Sequence, residues 1–388
     1  MDLRFSPEEE RFRQEVREFL ARELPPDWVG FRGLEERGES AEEWAFFKQM
    51  AKKLGQKGWL SLSWPREFGG GGVSPMMEMV FEEEMYYHRA PGRDIFGTGM
   101  LAPTLIHYGT REQQARHLAG VARGGVFWCQ GFSEPGAGSD LASLQTRAVD
   151  KGDHFVVNGQ KVWSSGAHKA DWCFFLARTD PEAPKHRGIS MFLVDMKSRG
   201  VTVRPLMNMV SMHSFNELFF DEVKVPRENL VGEKNGGWYA AMTTLNFERS
   251  GIIWFAGGRR TLEDLVRLAN ERGGLSPEMR LKLADLAVGL QVGRNLSYLV
   301  VWKQSRGFVP DYEAAMAKVY GSELNQRLAQ TAMELLGFYG LLVRDSKYAP
   351  LQGWLDHLYL RSVGNTIEMG TSEVQRNIIA LRGLGLPR

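Results

Sequence analysis

The chain has 388 residues, 48 Lys and Arg against 47 Asp and Glu, a formal charge of +1 and only two cysteines. A chain of this length can bury about three quarters of the surface its unfolded form exposes, so it needs neither disulfide nor metal staple. A 43% apolar, 24% charged composition excludes wholesale disorder, and the balanced charge gives no global field for nucleic acid or anionic lipid.

Cys129 and Cys173 form no CxxC pair, which fits a reducing compartment. The first ten residues are acidic, unlike a signal peptide, and no apolar run approaches the ~18 residues of a membrane helix. The expected location is the cytoplasm.

The first part of the chain reads as helical. Ser6-Pro7-Glu8-Glu9 is a capping box with proline at the first helical position. Phe12, Val16, Phe19 and Leu20 then form a helical stripe that stops before Pro25-Pro26. A second helix is expected from Glu42 to Leu54, then a glycine-rich loop, then helices over roughly 75–90 and 111–122. The pattern changes near Gly124. His154–Val157 and Gln160–Trp163 flank Asn158-Gly159, which predicts a hairpin with a type I′ turn. Further strands are expected at Asp171–Arg178, Ile189–Asp195, Val201–Pro205 and Glu217–Val225, at spacings typical of a small barrel or sandwich. From Gly236 the helical period returns in long segments, 237–270, 277–305, 311–336 and 371–381, as in a packed bundle. The expected fold class is α+β, with a helical N-terminal domain (1–123), a β-barrel-like middle domain (124–232) and a C-terminal four-helix bundle (233–388). An α, then β, then α order argues against an alternating βαβ nucleotide fold.

Gly131-Phe132-Ser133-Glu134-Pro135-Gly136-Ala137-Gly138 tests two nucleotide fingerprints and fails both. Ala137 stands where a P-loop needs lysine, and Leu141 stands where G-x-G-x-x-G needs its last glycine. What remains is a glycine-rich turn with two hydroxyls, Ser133 and Ser139, after an apolar strand. Such a turn can bring backbone N–H groups close to a phosphate or a polar ring edge.

Gln130–Asp140 closely resembles the first signature of the acyl-CoA dehydrogenase family of flavoproteins, and Asn158–Gly166 resembles the second. Ile367-Glu368-Met369-Gly370-Thr371-Ser372-Glu373-Val374-Gln375-Arg376 resembles the C-terminal signature, so the likeness spans nearly the whole chain. The resemblance implies FAD as cofactor, with a CoA thioester lying against the flavin. It implies that Gln130, Gly131, Phe132, Ser133 and Ser139 line the flavin and its pyrophosphate, Ser139 also lying near the CoA portion. Trp163 would cover the isoalloxazine beside Ser164, and Ser165 would donate to flavin N5, where arriving charge needs a preorganised partner. Gly337 belongs to a glycine loop contacting FAD, and Thr371 and Glu373 fall where relatives contact its ribityl or adenosine part. The Met369 N–H, beside Gly370, would hold the thioester carbonyl.

Removing a proton α to a thioester needs a carboxylate whose pKa desolvation has raised. In much of the family that carboxylate immediately precedes the C-terminal Gly-Thr, but here the position is Met369. Glu368 is one residue away, a shift that turns a helical side chain by roughly 100 degrees. One branch, resembling isovaleryl-CoA and long-chain acyl-CoA dehydrogenases, places its glutamate in a Leu-x-x-Glu-Arg stretch of an earlier helix, matched by Leu245-Asn246-Phe247-Glu248-Arg249. Glu248 is therefore the expected base, with Arg249 holding the 368–371 segment and the substrate. Two family features are missing. Arg272-Gly273-Gly274 stands where Arg-x-x-Phe-Gly is usual, and Gly337-Phe338-Tyr339-Gly340 lacks the glutamine and middle glycine of the FAD-contacting loop.

The resemblance thus implies α,β-dehydrogenation of an acyl-CoA to a trans-2-enoyl-CoA. Expected partners are the acyl-CoA, an electron-transfer flavoprotein and further copies of the chain in a dimer or tetramer, with no metal and no nucleic acid. Two other readings remain open at this point: a flavin oxidase or monooxygenase on the same scaffold, and a non-catalytic partner subunit of a heteromeric dehydrogenase.

Overall fold

A computed structural model describes residues 5–32, 37–247, 250–344 and 346–387, and the side chains of 245–247 are also outside the described set. The chain divides into two compact units that interleave in sequence. One takes the N-terminal stretch through Phe31, Val73–Ala90 and the C-terminal helices; the other takes Arg32–Gly72 and the stretch from Pro91 through the helix ending at Phe247.

The first unit opens with helix α1 (Pro7–Glu23), where Ser6 accepts from the Glu9 N–H and Glu9 reaches back to Ser6, the capping box expected. Helix α2 (Ala41–Gln56), in the second unit, starts with a second capping box, Ser40 with Glu43. Helix α3 (Pro75–Tyr87) returns to the first unit, and α4 (Ala102–Tyr108) and α5 (Arg111–Ala122) belong to the second.

The second unit is built on eight strands: β1 (Trp128–Gly131), β2 (Arg147–Asp150), β3 (His154–Lys161), β4 (Trp172–Arg178), β5 (Ile189–Asp195), β6 (Val201–Met207), β7 (His213–Pro226) and β8 (Leu230–Val231). They run in the order β6-β7-β3-β2-β4-β5-β8, with β1 parallel to β4. Among the described residues β6 and β8 do not pair, so the sheet is open and the barrel-like expectation is corrected to an open sheet. Its central strands are covered on both faces. Phe174 and Leu176 pack with Trp128, Leu101 and Leu105 on one side. Phe175 packs with Phe155, Phe192 and Phe220 on the other. That is why Cys173–Ala177 is an unbroken apolar run and not an alternating one.

Asn158-Gly159 is not a hairpin turn. Both residues lie inside β3, which pairs with β2 on one side and β7 on the other, and the register slips between Val157 and Gly159. The reason is tertiary. Asn158 exchanges hydrogen bonds with Glu222 of β7, and a Cβ at Gly159 would stand 2.5 Å from the Thr146 hydroxyl. The glycine serves close approach at a bulge.

The expected long helix over 237–270 is two helices, α6 (Gly237–Phe247) and α7 (Ile252–Glu271). Gly251, at φ 71°, takes a left-handed conformation that forces a new start. Helices α8 (Pro277–Ser305), α9 (Tyr312–Leu336) and α10 (Trp354–Asn365) complete a four-helix bundle with α7, sharing a core of Phe255, Leu265, Leu283, Leu290, Leu324, Leu328 and Leu355. A last helix, α11 (Ser372–Ile378), packs on α9. No described helix is long and apolar enough to cross a membrane, and the described residues contain no metal-ligating cluster.

Candidate functional site

In the second unit the first signature begins on β1. Gln130 pairs across the ladder with Phe174 and its amide lies 3.8 Å from the Met100 sulfur. Gly131 follows because a Cβ there would meet the Phe175 Cβ at 2.9 Å. Phe132 is a core residue, edge-on to Phe174, so only its backbone is left to face a ligand. The Ser133 carbonyl accepts from the Val162 N–H and ties the first signature to the second. Glu134 and Ala137 then exchange both backbone hydrogen bonds around Pro135-Gly136, a tight turn that ends with Ser139 exposed.

What locks this turn was not read from the sequence. Lys161, fully buried at the end of β3, donates to a Glu134 oxygen at 2.7 Å and to the Phe132 carbonyl at 3.3 Å. Glu134 also accepts from the N–H groups of Gln145 and Thr146. Burial pulls the Lys161 ammonium down to about 8 against the opposing pull of Glu134. For Glu134 burial pushes upward, but Lys161 and the Thr146 contact outweigh it and hold the carboxyl below its usual range. The signal was available: Lys161 occupies the same inward phase as buried Phe155 and Val157, one register slip along β3.

The second signature turns a corner after β3. Trp163 holds a left-handed φ of 61° with 60% of its surface exposed, its ring edge-on to Phe215. A bulky non-glycine residue in that region is strained, and a largely exposed indole gains little burial to offset it. The next residues are fixed through their backbones. The Ser164 N–H donates to the Asn216 carbonyl, the Ser164 carbonyl accepts from the Asn216 side chain, and the Gly166 N–H donates to Ser214. Between them, the buried Ser164 hydroxyl has no partner among the described residues. Ser165 is buried too, and no hydrogen bond to its hydroxyl or N–H occurs within the described residues. Behind this corner the His168 and His213 rings stack 3.9 Å apart with Asn216 hydrogen-bonded to both.

In the first unit the C-terminal signature is a turn into α11. Met369 is left-handed at φ 54° and Gly370 follows at φ 80°. Gln375 holds the Met369 carbonyl at 2.9 Å, while the Met369 N–H meets no acceptor among the described residues. Thr371 caps α11 by accepting from the Val374 N–H. The cap hydrogen bonds leave exposed Glu373 below the usual carboxylate range. Glu368 is spoken for: Arg361 grips both its oxygens at 3.1 and 2.9 Å and Asn365 adds a third bond at 2.7 Å. Lys318 of α9 is buried without a partner among the described residues. Burial lowers its pKa against the pull of Glu368, Glu323 and Glu373. Gly337, at φ 52°, ends α9, and in the short 3-10 turn Gly337–Leu341 that it opens the Tyr339 ring lies under the Arg272 guanidinium at 4.8 Å. The two places where the chain departs from the family pattern thus touch each other. Glu248 and Arg249, the expected base and its neighbour, lie outside the described residues.

The described fold is thus a helical start, an open β-sheet and a C-terminal helical bundle. Family models for the N-terminal, middle and C-terminal domains of acyl-CoA dehydrogenases match residues 6–125, 129–223 and 235–384. The chain belongs to the acyl-CoA dehydrogenase family. It is 38% identical to the acyl-CoA dehydrogenase IpdE1 of Mycobacterium tuberculosis over 387 residues, 98% of either chain. Among solved structures it is similar to the Tcur3481-Tcur3483 steroid ACAD (TM-score 0.91, 36% identity, all of both chains). It is similar also to the ChsE4-ChsE5 complex of Mycobacterium tuberculosis (TM-score 0.89, 34% identity, all of both chains). The chain is an acyl-CoA dehydrogenase with FAD as its cofactor. The residues present fit that group: a flat, solvent-facing indole stands on one corner with Ser165 and the Ser164 hydroxyl, neither of which has a side-chain partner among the described residues.

Proposed function

We propose that the chain converts an acyl-CoA to its trans-2-enoyl-CoA with Glu248 taking the α-proton, as in the Leu-x-x-Glu-Arg branch of the family. The observation that carries this reading is a pair of strained backbones. Trp163 and Met369 are non-glycine residues held left-handed at the two signature turns, and such strain persists where a site requires it. Trp163 covers one face of the flavin, and Ser165 donates to its N5 edge. Gln130 to Ser133 and Ser139 present backbone and hydroxyl groups to its polar parts, and Gly337, Thr371 and Glu373 do the same from the bundle. When bound, FAD supplies the acceptor for the β-hydride. The Met369 N–H, which has no acceptor among the described residues, holds the thioester carbonyl as it gathers charge, so the loss of a side-chain base at this position keeps the oxyanion contact. Glu368 is not chosen as base because Arg361 and Asn365 already occupy both of its carboxylate oxygens. Arg249 positions the acyl-CoA beside the Met369-Gly370 turn. Reduced cofactor is reoxidised by an electron-transfer flavoprotein, and the site of action is the cytoplasm.

The names of the similar structures extend the reading in two directions: a ring-bearing, steroid-derived acyl group, and assembly with a second dehydrogenase-like chain. The second is favoured by exposed Phe338 and Leu341 beside Gly337, an apolar edge a lone subunit leaves in water. Glu248→Gln tests the core of the proposal. The variant should retain FAD and bind acyl-CoA, while anaerobic flavin bleaching slows by at least about a thousandfold. Bleaching at the wild-type rate would remove Glu248 from the mechanism.

A further inference from the structure

The segment before α2 carries an arginine that no signature includes. Arg37 is 1% exposed and left-handed, at φ 61°. Its Nη1 donates to the Gly166 carbonyl at 3.0 Å. Its Nη2 donates to Asp94 Oδ1 at 2.8 Å and to the Trp128 carbonyl. The other Asp94 oxygen accepts from the Trp128 N–H at 2.9 Å. The Arg37–Asp94 pair therefore grips residue 128 at both its N–H and its carbonyl, two residues before Gln130. The same guanidinium grips the carbonyl one residue after Ser165. Lys169, on the turn that continues the corner, donates back to the Arg37 and Gly38 carbonyls. A buried ion pair placed only for stability would spend its donors on its partner. Here one planar fork joins the strand that leads into the first signature to the last residue of the second, which a point-charge lysine cannot do.

We infer that Arg37 is a positioning residue for the cofactor: it sets the register between the Gln130–Ser133 strand and the Trp163–Gly166 corner, and so the direction in which Ser165 donates. This rests on the reading of those segments as the flavin site.

Arg37→Lys is the test, because it keeps the charge opposite Asp94 and loses the fork. In the full-length apoprotein, hydrogen exchange across residues 164–169 should quicken about tenfold while β5 is unchanged. FAD should bind about tenfold more weakly, with a changed shape of the visible flavin band. The rate of anaerobic bleaching should fall about tenfold with KM for acyl-CoA within about twofold, since small misplacements near the reacting atoms act on rate. If Arg37→Lys does not fold, the charge-balanced Arg37→Gln/Asp94→Asn variant takes its place with the same expectations. Exchange, FAD affinity and band shape all within about twofold of wild type would overturn the inference. A wild-type chain that takes up no FAD would instead overturn the flavin-site reading, and the exchange data would still decide whether Arg37 clamps the corner.

Discussion

The two units bury charge in opposite ways. In the first, charges form a lattice. Arg13 contacts Glu83 and Glu84 at 2.7 Å each, Arg17 holds Glu84 again, and Arg294 and Tyr298 hold Glu83. Burial pushes Glu83 up, yet Arg294, Arg13 and the Tyr298 hydroxyl outweigh it and hold the carboxyl at about 2. In the second, the glycine-rich turn hangs on a single pair, Lys161 with Glu134, and two histidines are kept neutral. Burial takes His117 down to about 4 between the rings of Trp128 and Trp172. It takes His168 to about 4, helped by nearby His213, Lys169 and Arg37. A lattice tolerates the loss of one member; an isolated pair does not.

The sharpest break of this comparison is Lys161→Met against Glu83→Gln. The first leaves a buried carboxylate with only backbone donors and should cost about 3–5 kcal/mol of stability. The second leaves Arg13 with Glu84 and should cost about 2 kcal/mol or less. Urea unfolding followed by circular dichroism measures both, and equal losses would dissolve the contrast.

Acid should separate the units next. A histidine held near 4 in the fold binds its proton at about 6.5 once unfolded, so its stabilisation is whole above about 6.5 and lost as pH falls towards about 4. Glu83 has the other window: its contribution holds down to about 4.5, the usual carboxylate range, and is lost as pH falls towards about 2. Hydrogen exchange at pH 5 should therefore show β1 and β4 losing protection before α1 and α3 do. Simultaneous loss would contradict the assignment.

The smallest effect sharpens the link between strain and function. Trp163→Gly relieves the left-handed backbone and should raise stability by up to about 1 kcal/mol, while FAD affinity falls. A variant that loses stability would mean the indole is structural.

Much of the fold was legible in the chain. The α, β, α order, the Ser6 capping box, β5 at Ile189–Asp195 and α8 and α9 all follow from periodicity and caps, signals that adjacent residues carry. The site was legible only through its signatures. Asn158-Gly159 carries the local code of a turn, and the neighbours Thr146 and Glu222 make it a bulge instead. Cys129 and Cys173, far apart in sequence, lie directly opposite each other on β1 and β4, both buried and free.

The amino-acid order alone determined which segments become helix or strand and which short strings belong to a dehydrogenase, because both are written within a few residues. Only the tertiary structure decided that Glu368 is consumed by Arg361, that Lys161 closes the glycine-rich turn and that Arg37 ties the two signatures together. Those are contacts between residues from 7 to 129 positions apart. A side chain's ionisation and partners depend on what packing brings within a few ångströms, and no local pattern encodes that distance.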